Sequence, residues 1–151
     1  MTEIERISDE IRRAYSGRAW HGPSVLEVLA GVSAERAAAR PIASAHSTWE
    51  IVNHVSAWTS VVSQRLKGKY LEEPEEGDWP PVNDTSDAAW KVALDALEST
   101  YASLCKAIAA FDGSRLDERC EGRPDTYYIN LQGALQHYLY HAGQIALLKK
   151  L

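Results

Sequence analysis

The chain has 151 residues, 45% hydrophobic and 25% charged, with 16 Lys and Arg against 21 Asp and Glu for a formal charge of −5. That length and balance fit a single domain over residues 1–151 with a buried core, and they exclude wholesale disorder. The charge is also localised. The stretch from Gly68 to Asp84 holds six acids and one base, −5 by itself, so the remainder is neutral and offers no basic face for a phosphate backbone. No nucleic-acid partner is expected. No apolar run approaches the roughly 18 residues of a membrane span, and Met1-Thr2-Glu3-Ile4-Glu5-Arg6 lacks the basic-then-apolar plan of a secretory signal. The expectation is a cytoplasmic protein without a membrane partner. Cys105 and Cys120 match no metal or redox spacing, which suits a reducing compartment.

Ile4, Ile7, Ile11 and Tyr15 fall on one stripe and predict an amphipathic helix over residues 2–16, ended by Gly17. Ser24 with Glu27 reads as a capping box opening a short helix from Val25 to Ala30, and a second short helical turn runs from Ala34 to Arg40, before Pro41. Ser47 with Glu50 opens a long helix whose stripe is Ile51, His54, Val55, Trp58, Val62 and Leu66, with Gly68 placed to stop it. Pro74, Gly77, Pro80 and Pro81 make the acidic stretch a long loop, and loops of that length in small domains are often functional. A third long helix from Ser86 to Phe111 buries Trp90, Leu94, Leu97, Tyr101, Leu104 and Ile108, and the last runs from about Tyr127 to the C-terminus. Neither strand alternation nor an internal repeat is found. The fold expected is all-α, a four-helix bundle with short extra helices and a long acidic loop between the second and third main helices.

Five histidines are present: His21, His46, His54, His137 and His141. His137 and His141 stand four apart on a predicted helix, so their imidazoles share one face, one turn apart, and can meet one metal ion at about 2.0–2.1 Å. His54 lies within an apolar stripe, where an imidazole is costly without a partner. A metal held jointly with His137 and His141 would supply that partner. Three imidazoles leave a coordination position open, the mark of a catalytic site. The competing reading is three histidines packed in a core or at a surface.

The segment Ser47-Thr48-Trp49-Glu50-Ile51-Val52-Asn53-His54-Val55 resembles the second-helix motif of the DinB-like (DinB/YfiT-type) metal-binding four-helix bundles. Gln136-His137-Tyr138-Leu139-Tyr140-His141-Ala142-Gly143-Gln144-Ile145 is similar to that family's last-helix signature, and Trp20-His21-Gly22-Pro23-Ser24 and Asp78-Trp79-Pro80 resemble further landmarks of one branch. The resemblance implies a bundle that binds a divalent metal, commonly nickel or zinc, through His54, His137 and His141. Some relatives of this kind are thiol-dependent S-transferases in which the metal activates a low-molecular-weight thiol.

An open divalent ion lowers a bound water's pKa, polarises a substrate oxygen or holds a thiol as thiolate. Two residues are candidate catalytic partners. Glu50, four before His54, would orient an imidazole or act as a base, or else simply close its capping box. Gln144, seven after His137, would hydrogen-bond a ligand or a water, or else serve as a packing amide. Trp20, Trp58, Trp79 and Tyr138 would wall a pocket if the acidic loop folds over it, and the loop's charge would then disfavour strongly anionic substrates. His46 and His21 are not read as ligands. Cys105 is expected in the core and Cys120 in an exposed connection. The function expected is metal-dependent thiol S-transfer or hydrolysis of a small molecule. The alternative is a non-catalytic metal- or small-molecule-binding bundle for storage, sensing or stress protection, and apolar helix faces would also support a homodimer.

Overall fold

Side-chain caps decide where every long helix begins. In the computed structural model, which describes residues 1–151, Thr2, Ser47, Ser86 and Thr126 each accept the backbone N–H three residues on, opening α1 (Glu3–Ser16), α4 (Thr48–Leu66), α5 (Asp87–Ala110) and α6 (Tyr127–Leu148). Ser24 and Ser33 do the same for the short helices α2 (Val25–Leu29) and α3 (Ala34–Ala38). Reciprocal capping boxes form at Ser24 with Glu27 and Ser47 with Glu50, as the sequence pattern anticipates, and also at Thr2 with Glu5. No strand forms; two isolated antiparallel bridges, Ala19 with Gly22 and Arg119 with Thr126, close turns. No helix is long and apolar enough to cross a membrane.

Residues 67–86, between α4 and α5, contain neither helix nor strand. Gly68 stops α4 by turning left-handed, at φ +81°, while its N–H bonds the Arg65 carbonyl. Gly122, at φ +67°, has a second reason to lack a side chain: a Cβ there would lie 2.5 Å from the Tyr70 ring, so this glycine lets the loop after α4 seat against the connection before α6.

The four long helices form a bundle in which α4 and α6 pack together, α4 packs on α5, and α1 packs on both α5 and α6. This ring places α1 diagonal to α4 and α5 diagonal to α6. The connection from α1 to α4 therefore crosses the bundle, and it carries α2, seated on α1 and α6, and α3, seated on α4 and α5. The buried apolar residues, from Ile7 and Ile11 on α1 to Ile145 and Leu148 on α6, make one connected core. At about 25 cal/mol per Å² of apolar surface removed from water, each buried Ile or Leu contributes roughly 1.5–3 kcal/mol. Because α4 is enclosed by α3, α5 and α6, even its polar residues are buried: His54, Ser56, Thr59, Ser63 and Arg65. Most of these find partners. Thr59 bonds the Val55 carbonyl and the Tyr138 hydroxyl, and Ser56 meets Thr100.

Candidate metal centre

The contact between α4 and α6 brings His54 against His137 and His141. Nε2 of His137 lies 2.9 Å from Nε2 of His54 and 3.0 Å from Nε2 of His141. The opposite ring nitrogens have their own partners. Nδ1 of His54 is 2.6 Å from the backbone carbonyl of Asp78, and Nδ1 of His141 is 2.6 Å from Oε1 of Gln144. A carbonyl oxygen only accepts, so each of these Nδ1 atoms carries the proton and each facing Nε2 presents a lone pair.

This arrangement is short of positive charge. Three Nε2 atoms converge, and a single N–H on His137 can satisfy only one neighbour. Protons on His137 and His141 do not supply the missing charge near neutral pH. Burial, reinforced by His141 and His54 beside it, pushes His137 down to about 3. Burial also lowers His141 to about 4, against its hydrogen bond to the Gln144 amide oxygen, which favours the protonated ring. Donors on a tetrahedral ion at about 2.1 Å sit roughly 3.4 Å apart, so the two contacts of His137 have to open by about half an ångström and all three nitrogens, now within 4.8 Å of one another, have to settle to that span. The donor set, its convergence and the tautomers fixed at His54 and His141 fit a borderline divalent metal with an open coordination position.

The acidic loop reaches the centre with two residues. Trp79 lies between two imidazoles, stacked on His54 with centroids 3.9 Å apart and on His46 at 3.5 Å, each within 8° of parallel. Asp78, whose carbonyl holds His54, is itself anchored by Trp58, whose indole Nε1–H donates to Oδ1 at 2.7 Å. The loop thus turns backbone carbonyls and an indole inward, while the side chains of Glu72, Glu73, Glu75 and Glu76 stay exposed. Beside His54 and His137 opens a cavity of about 430 Å³, with Trp58, Val62 and Ile129 on its walls and Arg65 and Asn130 among its polar residues.

Of the other residues singled out in the sequence, Gln144 touches a histidine, but Glu50 hydrogen-bonds none of the three. Its carboxylate accepts the Ser47 N–H at 2.8 Å and pairs with Arg40. Two of the expected pocket walls lie elsewhere. Trp20 is fully exposed and, with His21, borders a separate depression beside Arg6 and Leu135. Tyr138 is buried in the core, its ring against Tyr15 and its hydroxyl on Thr59. Cys120 is buried, not exposed. Backbone bonds from its N–H to Asp125 and from Tyr127 to Glu118 fold the connection back on itself, and burial raises the thiol's pKa. His46 was read as no ligand and makes no contact with the trio's nitrogens, yet it forms one face of the Trp79 sandwich. Trp58 lines the cavity as its place on the His54 stripe suggests, whereas the roles of Asp78 and Arg65 have no signal in local spacing, since each depends on the seat of the loop.

The DinB superfamily matches residues 19–144, five-sixths of the chain and all three histidines. The chain belongs to the DinB superfamily. Neither a curated protein nor a solved structure matches it. Membership therefore accounts for the bundle and frames the histidine trio, while the chemistry of this member has to be argued from its own residues.

Proposed function

We propose that this DinB-superfamily protein is a metal-dependent enzyme whose divalent ion, nickel or zinc, is held by His54, His137 and His141 and serves thiol S-transfer or hydrolysis of a small molecule. The observation that carries the reading is the convergence of three Nε2 atoms, two of which, on His54 and His141, present lone pairs because their Nδ1 atoms face acceptors. Bound there, an open divalent ion acidifies a thiol or a water and polarises a substrate oxygen. The chain's own residues do the rest. Asp78 and Gln144 keep the ligand nitrogens unprotonated, Trp79 shields the outer face of His54, and the adjoining cavity gives a small molecule direct access to His54 and His137. Thiol transfer is favoured over hydrolysis by the family resemblance in the two histidine-bearing helices.

The test is elemental analysis of tag-free protein beside the His54→Ala variant after dialysis against trace metals. About one divalent ion per chain, lost in the variant, is the expected result, followed by metal-dependent turnover in a screen of thiols with electrophiles and of esters. No ion in either protein would overturn the reading. Tight metal binding without turnover across that screen would leave a binding bundle.

A further inference from the structure

Arg65 stands about three helical turns after His54 on α4 and is 6% exposed, yet it forms no ion pair: Asp125 acts on it only through space, and so does the like charge of Arg123. Its guanidinium donates to three neutral acceptors: Nε to the Leu71 carbonyl at 2.9 Å, Nη2 to the Glu72 carbonyl at 2.8 Å and Nη1 to Oδ1 of Asn130 at 2.8 Å. A guanidinium has five N–H donors and stays charged in proteins, so two donors and a full positive charge remain. A buried cation without a counter-charge is costly. Carboxylates are at hand on the same loop, but Glu72 offers its carbonyl, and its side chain and those of Glu73, Glu75 and Glu76 are exposed.

The side chain is not sealed into the protein. Arg65 lines the same cavity as His54 and His137, with its guanidinium carbon 5.9 Å above the Trp58 ring. Two acids also line that cavity, and both are engaged. Asp78 accepts from Trp58, and Asp125 pairs with Arg123 at 3.5 Å, whose buried Nε is itself without a partner. Between the two ends the wall is largely apolar: Trp58, Val62, Ile129 and Ala134. Asn130, which holds Arg65, lies seven residues before His137 on α6, about 10 Å along the helix axis.

The geometry points to a carboxylate-binding subsite at Arg65 and Asn130, so that the molecule taken by this cavity carries a carboxylate at one end, an apolar middle, and its reacting group about 10 Å away at the histidines. Calling that molecule the substrate rests on the metal-dependent activity proposed above; the carboxylate subsite itself does not. The four exposed glutamates of the loop lie in solvent, where their charge is screened, so their repulsion weighs less on a single carboxylate than on a polyanion.

Isothermal titration calorimetry with hexanoate and its neutral analogue hexanamide tests this on zinc-treated protein and on the same protein after chelation. The expected result is hexanoate binding about tenfold or more tighter than hexanamide, as a charge-assisted hydrogen bond implies. The preference should persist after chelation and vanish in Arg65→Gln. In the wild type, hexanoate should also shift the Arg65 Nε–H resonance, which decides the matter if the variant does not fold. Equal binding of the two probes, or none, overturns the subsite. So does a preference lost on chelation, because the carboxylate would then sit on the metal. Metal content of the same samples reports separately on the metal-dependent reading: a preference without bound metal would keep the subsite and sink the enzyme.

Discussion

Trp79 lies flat on His54, 3.9 Å between ring centroids and 8° from parallel, although the two residues belong to different elements 25 positions apart. Stacking on one face and the Asp78 carbonyl on the ring edge together leave His54 one orientation, with Nε2 towards α6. Outer contacts of this kind typically contribute tenfold to a hundredfold in metal affinity. Trp79→Ala should therefore weaken metal binding by about tenfold in competition with a chromophoric chelator, while the half-buried indole's loss lowers Tm only slightly. Unchanged affinity would mean that the loop merely rests on the centre.

Gln144 offers a sharper test, because one atom carries the argument. Replacing it by Leu keeps most of the volume and removes the acceptor for Nδ1 of His141. The proton is then free to move to Nε2, the nitrogen that has to bind. Metal affinity should fall by about 10- to 100-fold with the helical circular dichroism unchanged. Should the variant bind metal as tightly as the wild type, the His141 tautomer is set by something else.

Glu50 separates capping from catalysis. Its carboxylate closes the capping box of α4 and meets Arg40. Glu50→Ala should cost about 1 kcal/mol in denaturant unfolding and leave metal stoichiometry and affinity as they were. Loss of activity at full metal occupancy would instead restore Glu50 as a base.

The buried histidines give the metal-free protein a defined response to acid. His137 and His141 hold off protons down to about 3 and about 4 in the fold, whereas in the unfolded chain they take them up near 6.5. Between those values the unfolded state binds more protons, so stability is present above about pH 6.5 and is lost progressively as the pH falls. Thermal melts of chelated protein should show Tm decreasing from pH 7 to pH 5, a range in which carboxylates remain ionised. The His137→Gln, His141→Gln double variant should be flatter there. Parallel curves for the two proteins would remove burial of neutral histidine as the cause.

The helices were legible because their signals are local. Ser47 with Glu50 and Ser24 with Glu27 mark starts within four residues, and Gly68 marks a stop by its left-handed backbone. The trio was legible for a related reason: a four-residue spacing fixes His137 relative to His141, and an imidazole inside an apolar stripe singles out His54. Trp79 reaches the centre as the loop's expected closure requires, but which way residues of the other turns and connections face is not legible. An aromatic in a turn does not say which way it faces, so Trp20 was placed at a pocket when it is solvent-exposed. Cys120 has polar neighbours that suggest exposure, yet backbone bonds that fold the connection back on itself accompany a buried thiol. Arg65 reads as an ordinary helix cation until α6 and the loop enclose it.

His54 and His137 are separated by 83 positions, and the whole of α5 lies between them although it supplies no ligand. An ion shared by these two residues closes that stretch of chain into a ring, acting as a removable staple across the bundle. Cross-links that close long loops restrict the unfolded ensemble most. Loading the centre should accordingly slow the opening of α5, so its amide protons would exchange with solvent more slowly in the presence of metal even though none of its side chains touches the ion.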